Sequence, residues 1–459
     1  MTDPVLPELS ARLSARLDRL PPSRFQRRVV GAMALMFFFE LADLNSFSFT
    51  APGIRADLGV DVHQVALVTS AGFLGMFVGS LVGGWLADRL GRRPAIVGSL
   101  VWYSVFSLLN AAAFDVPTLV AARLLTGVGL SALTVIAITY VAELVPAERR
   151  GRVQSIVLGF GLLGVPAVAF LARAVVPLAP WGWRLVFVFG TLGVLGIALV
   201  LRLPESPRWL VSHGRGDEAE RTVARIEDEV RAAQGELPEP AAHGGAGERS
   251  VALRELFSPR YARRTAVLWI VWIFQTLGFY GFQSFVPTLL VASGFGLVHS
   301  LTFAAITTIG AVPGAFSTWF LSDRFGRKGS LCAVGLATAV CGVLYGAGFN
   351  AVAIGVFGFL VGALIQAFAA LLYAYTPELY PTAIRNGGSG AAYGVGRLAN
   401  ILGPFIVAAL FSELGYVWVF VYIAGCWVVA ALVVGVFGPD TRKLRLEQLN
   451  AAESTAPAN

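Results

Sequence analysis

The chain has few charged residues and only three cysteines. Only 14% of its 459 residues are charged, and 56% are hydrophobic, whereas soluble domains carry about 25% charged residues. This composition excludes an ordinary soluble domain and also an intrinsically disordered chain. The three cysteines, Cys332, Cys341 and Cys426, lie within apolar runs and offer neither a disulfide framework nor the spacing of a metal site. We therefore expect an integral membrane protein.

Long apolar blocks fill most of the sequence and are separated by short polar connections. A membrane-spanning helix needs about 20 mostly apolar residues, and twelve blocks meet this requirement. The bilayer interior cannot hydrogen-bond an open backbone, so such blocks are expected to form helices. The sequence therefore predicts an all-α membrane protein with twelve transmembrane helices. The blocks begin near Val29, Val65, Ala95, Pro117, Val153, Trp183, Thr265, Leu301, Leu331, Ala351, Asn386 and Val417.

Basic residues are confined almost wholly to alternate connections between these blocks. Only two of the 35 basic residues are lysines, and thirty of the 35 lie in the N-terminal segment, in every second connection or in the C-terminal tail. By the positive-inside rule these regions face the cytoplasm, so both termini are expected to be cytoplasmic. The preference for arginine, with abundant alanine and glycine, favours the inner (plasma) membrane of a bacterium.

The N-terminal segment, residues 1–28, contains leucines at helical spacing. Leu9, Leu13, Leu17 and Leu20 recur among arginines, which is the pattern of an amphipathic helix. We expect this cytoplasmic helix to lie on the membrane surface, with a flexible tail as the alternative.

Two polar motifs occur twice at one spacing. Asp88–Arg93 (DRLGRR) returns 235 positions later as Asp323–Lys328 (DRFGRK), and Glu143–Pro146 (ELVP) returns at the same offset as Glu378–Pro381 (ELYP). The shared offset indicates two pseudo-symmetric six-helix bundles, with a ligand site expected between the halves near the bilayer midplane. The predicted bundles are residues 29–203 and 265–438, with a cytoplasmic connector of short helices at 204–264 and a cytoplasmic tail at 439–459.

These motifs resemble those of a known transporter family. Gly84–Arg93 (GWLADRLGRR) is similar to the signature loop between helices 2 and 3 of the major facilitator superfamily, and Arg123–Gly127 (RLLTG) resembles its helix-4 motif. Pro204–Leu210 (PESPRWL) is similar to the element after helix 6 in sugar porters. Together with Glu378–Arg385 (ELYPTAIR), it resembles the branch that holds metabolite:proton symporters, organic ion transporters and synaptic vesicle glycoprotein 2. Within this branch the chain resembles bacterial nicotinate (niacin) transporters, which implies a secondary transporter that works by alternating access.

The charges near the duplicated loops are expected to hold the cytoplasmic side closed. A short turn of glycine and charged residues lets acidic groups pair with arginines or cap helix ends. The alternative is a set of solvated charges. The predicted members of this cytoplasmic gate are Asp88, Arg89, Arg92, Glu143, Arg150, Glu205, Arg208, Asp323, Arg324, Arg327, Glu378 and Arg385.

Two carboxyl groups lie inside the first apolar block. Glu40 and Asp43 are three residues apart and therefore share a helix face. A charged group inside a span costs at least about 2.5–3.5 kcal/mol on insertion scales, so its presence suggests a function. Burial favours the neutral form of a carboxyl group, as proton coupling requires, and Asp43 is the first choice because it lies deeper. A static ion pair with Arg123 is the alternative, and the helix-4 resemblance implies that Arg123 takes part in coupling.

Arg397 lies inside the eleventh block. Its planar guanidinium suits a carboxylate ligand, and the organic-anion relatives that the chain resembles carry a basic residue at a similar place. The alternative is a structural partner for an acidic residue. Arg173, in the fifth block, is a second candidate unless it reaches the outer membrane surface.

An aromatic stripe in the seventh block contains side chains that could sandwich a flat ring. Trp272, Gln275, Phe279 and Gln283 recur on one helix face, with Tyr280 beside it. Simple packing is the alternative, because aromatic residues in membrane helices commonly serve it. The predicted substrate-binding residues are Arg397, Trp272, Tyr280, Tyr373, Arg173, Gln275, Phe279, Gln283, Gln366 and Tyr393.

Two glycine patterns are expected to serve helix packing. Gly159–Gly164 fits the dinucleotide-binding pattern but lies within an apolar block with no strand before it. Gly75, Gly79 and Gly83 form a stripe of small residues that allows close helix contact. Motifs for ATP binding or hydrolysis are missing from the sequence, so we expect no enzyme, cofactor or metal site.

The sequence thus predicts import of a small organic anion, an aromatic carboxylate such as nicotinate, by proton symport. The alternatives are a sugar or polyol porter, an organic-cation porter and, from another class, a non-transporting membrane sensor on a transporter scaffold. The expected partners are the anion, the proton and the lipid bilayer, with no nucleic acid and a monomeric chain.

Overall fold

The computed structural model describes residues 5–240, 253–348 and 350–440. Within these ranges the chain forms α-helices and short 3₁₀ turns, without a β-strand. The α-helices are α1 (Val5–Asp18), α2 (Arg24–Leu58), α3 (Val62–Leu90), α4 (Arg92–Ala112), α5 (Val116–Leu144), α6 (Ala147–Leu162), α7 (Gly164–Val175), α8 (Trp183–Thr191), α9 (Gly196–Val200), α10 (Pro207–Ser212), α11 (Gly216–Gln234), α12 (Ala262–Ala292), α13 (Leu297–Gly346), α14 (Ala351–Glu378), α15 (Thr382–Leu414) and α16 (Tyr416–Phe437).

Twelve helical stretches of the described chain are long and apolar enough to cross a membrane. α13 contributes two of them, Leu297–Ser322 and Arg324–Gly346, because Gly326 has a left-handed backbone (φ 71°) that interrupts the helix. Two further stretches, Ala147–Leu178 and Pro180–Val200, each combine shorter helices. The predicted all-α fold with twelve spans is confirmed.

Local backbone features repeat at the same offset of 235 residues as the sequence motifs. The Asp115 side chain caps the start of α5, and the Asn350 side chain caps the start of α14. Gly91 and Gly326 both have positive φ angles, 102° and 71°. Only glycine adopts this backbone conformation without strain, so each copy of the motif turns the chain at its glycine.

Glycines bring neighbouring helices into backbone contact. A Cβ atom at Gly75 or Gly79 would lie 2.0 or 2.2 Å from a carbonyl oxygen of α5. At Gly310 and Gly314, again 235 positions later, it would lie 2.2 or 2.0 Å from a carbonyl oxygen of α14. A Cβ at Gly164 would meet an α2 carbonyl oxygen at 2.1 Å. Gly75, Gly79 and Gly164 serve helix packing as predicted, whereas a Cβ at Gly159 would meet no atom within 4 Å.

The chain divides into two compact units. Unit 1 comprises Met1–Ser46, Leu74–Val168 and Gly182–Gly247, and unit 2 comprises Phe47–Phe73, Ala169–Trp181 and Glu248–Asn459. These units do not follow a single cut in the chain. The bundles predicted at residues 29–203 and 265–438 therefore stay a prediction.

Within unit 1, the N-terminal helix α1 packs on the connector helix α11. Leu13, Leu17 and Leu20 are buried in one core with Val223 and Ile226 of α11. The prediction that this leucine face lies on the membrane surface is wrong. An amphipathic helix can pack its apolar face on a membrane or on another helix, and here it packs on α11. Residues 441–459, which hold nearly all of the predicted tail, lie outside the described residues.

A buried carboxylate fixes α1 on α11. Glu227 is 3% exposed and accepts hydrogen bonds from Arg16 (3.1 and 2.5 Å) and Arg19 (2.6 Å). Burial alone would raise the pKa of the Glu227 carboxyl, but the hydrogen bonds and charges of the two arginines place that pKa below its usual value of 4.5. The contact is therefore a charge-assisted clamp.

We predict that Glu227→Gln loosens α1, because it leaves two half-buried arginines facing a neutral amide. The loss of one partner from a buried ion pair costs about 3 kcal/mol, so hydrogen exchange in α1 should quicken about 100-fold. Asp228→Asn is the matched control, since Asp228 is exposed and pairs with Arg231 on the same helix. Equal exchange in the two variants would contradict the clamp.

The same clamp should weaken in acid. Because the folded-state pKa of Glu227 is depressed, its stabilisation is present above about pH 4.5 and is lost as the pH falls through the folded-state value. The difference in α1 protection between the native chain and Glu227→Gln should therefore shrink below about pH 4.5.

Candidate functional site

A buried ion pair lies in unit 1, inside the membrane-spanning part. The Arg123 guanidinium is 3.6 Å from the Asp43 carboxylate, and both side chains are almost fully buried. Ser107 and Ser46 donate hydrogen bonds of 3.1 and 3.2 Å to one Asp43 oxygen. The other oxygen has no hydrogen-bond partner among the described residues. The pairing considered as the alternative from the sequence is present, and it leaves one carboxylate oxygen able to accept a proton.

Arg123 is also held by the backbone of α2. It donates to the Leu44 carbonyl at 2.8 Å and to the Asp43 carbonyl at 3.2 Å. Glu40, the second predicted carboxyl group, is 5% exposed and accepts a hydrogen bond from Thr134 on α5. The two acids therefore face different partners although they lie on the same helix.

Three predicted aromatic residues meet in unit 2. The Trp272 ring lies 4.9 Å from Tyr373 and 4.7 Å from Tyr393 between centroids, and the two tyrosines are 5.2 Å apart. Trp272 donates from Nε1 to the Thr376 hydroxyl at 3.0 Å. Trp272 is 4% exposed and Tyr373 is 55% exposed, so Tyr373 presents the open ring of this group. We call Trp272, Tyr373, Tyr393 and Thr376 the aromatic cluster.

Arg397 lies beside this cluster. It follows Tyr393 by one turn of α15, and residues four apart lie on the same helix face. The preceding residue, Gly396, accepts a hydrogen bond from Thr276 of α12 at 3.1 Å, which holds the two helices together at this level. A permanent cation thus stands next to a group of aromatic rings.

The buried amide of Gln275 lies on the same helix as Trp272. Gln275 is 3% exposed, and its side-chain oxygen has no partner within the described chain. Gln366 is half-buried on α14, two turns before Tyr373, and Gln283 is half-buried on α12. The geometry does not tie these three amides to one ligand, and their binding role stays a prediction.

Other predicted ligand residues lie apart from the aromatic cluster. Tyr280 follows Trp272 by eight residues, about 12 Å along a helix, and its ring packs on Phe73 and Phe279 at 4.9 Å each. Arg173 donates to the Thr302 hydroxyl at 2.7 Å. Within unit 2, the described contacts of Arg173 do not include the aromatic cluster.

The predicted gate residues of unit 1 form one network. Arg92 makes two hydrogen bonds to Glu143 (2.9 and 3.1 Å) and one to Asp88 (2.8 Å). Glu205 accepts the backbone N–H groups of Arg92 and Arg93, and burial raises the pKa of the Glu205 carboxyl. This network ties the duplicated loop to α5 and to the connector.

Three other predicted members lie at its margin. Arg89 stacks over Trp85 at 5.4 Å, Arg150 donates to the Val145 carbonyl at 3.3 Å, and Arg208 donates to Ser14 at 3.2 Å. These arginines are bound to rings, backbone or hydroxyl groups and not to the acidic residues of the network.

Unit 2 repeats the core of this arrangement. Arg327 pairs with Glu378, as Arg92 pairs with Glu143 at positions 235 residues earlier. Arg385 donates to the Tyr380 carbonyl at 3.4 Å, which repeats the bond of Arg150. Arg324 lies over the ring of Phe320 at 5.8 Å. The side chain of Asp323 lies outside the described residues.

The duplicated twelve-span fold and its repeated arginine–glutamate pairs define a membrane transporter of the major facilitator superfamily. The chain belongs to the Sugar (and other) transporter family, whose family model matches residues 29–452.

Known relatives cover almost the whole chain. A Bacillus subtilis protein, YyaJ, is 42% identical over 93% of this chain and 95% of its own length. The niacin transporter NiaP of Acinetobacter baylyi is 31% identical over 95% of this chain and 99% of its own length. The solved structure of the xylose transporter XylE from E. coli is 18% identical, covers 92% of this chain and 100% of its own, and has a TM-score of 0.73. This last likeness concerns the fold alone.

Sequence reasoning missed several partners of the predicted residues. Ser46 lies one turn after Asp43, so helical spacing could have identified it. Ser107 and Thr376 reach Asp43 and Trp272 from other helices, and no local pattern marks them. Phe73, which packs on Tyr280, is also an ordinary apolar residue in the sequence.

We predict that Arg92→Gln destabilises the chain, because Glu143 is 11% exposed and would lose its charged partner. A loss of about 3 kcal/mol should lower the apparent Tm of the purified protein by about 3 °C. Arg89→Gln is the control. This substitution removes the same charge from the same loop, but Arg89 contacts the ring of Trp85. A matching fall in both variants would show that net charge, rather than the Arg92–Glu143 contact, is responsible.

Proposed function

We propose that this transporter imports a small organic anion, most simply an aromatic carboxylate such as nicotinate, by proton symport with alternating access. The observation that carries the proposal is the aromatic cluster with Arg397 beside it. Aromatic rings bind a flat ring by stacking or edge-to-face contact, and a guanidinium binds a carboxylate through two parallel hydrogen bonds. The niacin transporter NiaP, a relative over nearly the full length, supports the same ligand class.

We assign proton coupling to the Asp43–Arg123 pair. A proton on Asp43 would cancel its charge and remove the ion pair with Arg123. The bond of Glu40 to Thr134 makes it the second candidate for the same role. We further propose a monomer in the bacterial inner membrane with both termini in the cytoplasm, as the distribution of arginines indicates.

The direct test is uptake of labelled nicotinate into proteoliposomes, with and without an inward proton gradient. The proposal expects uptake that the gradient stimulates and that unlabelled benzoate inhibits. Glucose and choline serve as competitors for the sugar and organic-cation alternatives. Inhibition by either of these, with no effect of benzoate, would contradict an anion transporter.

We predict that Arg397→Ala weakens nicotinate binding about 100-fold, because loss of one member of a desolvated charge pair costs about 2–5 kcal/mol. Nicotinamide has the same ring but no charge, so its affinity should stay unchanged in the variant. Arg263→Ala, at an exposed arginine near the start of α12, is the control. Dissociation constants for both ligands, measured in detergent, provide the readout, and equal losses for both would remove Arg397 from carboxylate recognition.

We predict that Asp43→Asn abolishes gradient-driven accumulation but retains exchange of labelled for unlabelled nicotinate across the membrane. The amide cannot take up or release a proton at physiological pH, whereas substrate exchange needs no net proton movement. Asp57→Asn on the same helix is the control, and Glu40→Gln tests the other acid. If Asp43→Asn still accumulates substrate with the gradient and Glu40→Gln does not, coupling belongs to Glu40.

A further inference from the structure

A cavity of about 520 Å³ opens in unit 1 where the first spanning helix begins. One wall contains Ser23, Arg24 and Arg27, at the start of α2, and the opposite wall contains Glu229 and Gln234, near the end of α11. None of these residues belongs to the aromatic cluster, to the Asp43–Arg123 pair or to the gate network. The cavity is therefore outside the machinery assigned above.

Two contacts connect the walls of the cavity. Arg28 forms an ion pair with Glu229, and Gln234 donates from Nε2 to the Pro22 carbonyl at 2.5 Å. The Ser23 hydroxyl accepts the backbone N–H of Gln26 at 3.3 Å, so it is used as a helix cap. The Arg28–Glu229 and Gln234–Pro22 contacts thus join the two walls.

Two arginines of the lining are left without a partner. Arg24 and Arg27 are exposed, and neither side chain has a hydrogen bond or an ion pair within the part of the chain that the structure describes. Glu229 does not neutralise them, because Arg28 occupies its carboxylate. Residues three apart on a helix have Cβ atoms about 5–6 Å from each other, so two guanidinium groups can converge on one anion.

The position of the cavity along α2 indicates which anion it meets. The apolar part of this spanning helix begins at Val29, directly after the three arginines. Arginines at that boundary lie at the depth of the phosphate layer of a bilayer. Phosphate also matches the planar donor fork of arginine, which makes paired hydrogen bonds to its oxygens.

We propose that this cavity binds a phosphate group, and that bound phosphate braces α11 against the start of α2. The chemistry is shared by the head group of an anionic phospholipid and by soluble phosphate. In either case Arg24 and Arg27 bind the phosphate oxygens, while the Arg28–Glu229 pair and Gln234 keep the cavity open.

The test measures binding of phosphatidylglycerol, phosphatidylcholine and inorganic phosphate to the delipidated full-length protein, by native mass spectrometry and by titration in detergent. The double variant Arg24→Gln, Arg27→Gln should weaken binding of the anionic ligand about 30-fold, the loss expected for two arginines near a charged surface. The double variant Arg152→Gln, Arg225→Gln is the matched control. It removes the same charge from exposed positions of unit 1 that do not line the cavity.

The outcomes distinguish the source of the phosphate. Selective loss of phosphatidylglycerol binding, with inorganic phosphate ineffective as a competitor, identifies a lipid head group. Displacement of the lipid by inorganic phosphate, lost in the same variant, identifies a soluble phosphate site. Equal weakening in both double variants, or no weakening in either, would overturn the proposal.

A second readout examines the bracing directly. Hydrogen exchange near residues 22–28 and 229–234 should slow when phosphatidylglycerol is added to the native chain and should not change in the Arg24→Gln, Arg27→Gln variant. Unchanged exchange on adding lipid to the native chain, or equal slowing in the variant, would contradict bracing.

Discussion

The structure depends on backbone contact between helices at positions that lack a side chain. Within lipid there is little hydrophobic gain from bringing helices together, so close van der Waals packing has to supply the association. Gly75 and Gly79 permit this contact in unit 1, and Gly310 and Gly314 permit it in unit 2. Because these glycines recur at one offset, the packing of α3 on α5 in the first half is repeated by the packing of α13 on α14 in the second half. The charged networks beside the duplicated loops then add to a frame whose helices are already in contact.

The two halves of the chain share this frame but carry different chemistry. Asp43 and Arg123 form the buried ion pair, whereas the residues 235 positions later are Gly278 and Gly358.

The aromatic cluster and Arg397 occur only in the second half. The first-half residues that correspond to Trp272, Tyr373, Tyr393 and Arg397 are Phe37, Ile138, Leu158 and Leu162. By contrast, the arginine–glutamate pairs beside the duplicated loops occur in both halves. Residues that are duplicated between the halves therefore belong to the scaffold. Residues that are not duplicated include those to which we assign ligand binding and proton coupling.

The sequence predicts this protein well where the signal is local or repeated. Apolar length defines the twelve spans, and a shared offset connects Arg92 and Glu143 with Arg327 and Glu378. Prediction from sequence fails where the contacting surface is distant in the chain. The leucine face of α1 is an example, since the same amphipathic pattern suits a membrane or another helix. The convergence of Trp272 with two tyrosines from other helices is likewise a tertiary result. Residue types suggested the ligand class, but the spacing along each helix could not show which residues meet.

The setting of Arg123 makes its ion pair suitable for a change of protonation. A buried arginine whose only partner is a carboxylate would be left uncompensated when that carboxylate is neutralised, at a cost of several kcal/mol. Arg123 also donates to the Leu44 and Asp43 carbonyl groups, so neutralising the Asp43 side chain leaves it hydrogen-bonded. A proton on Asp43 can therefore alter the pair without releasing Arg123 from α2.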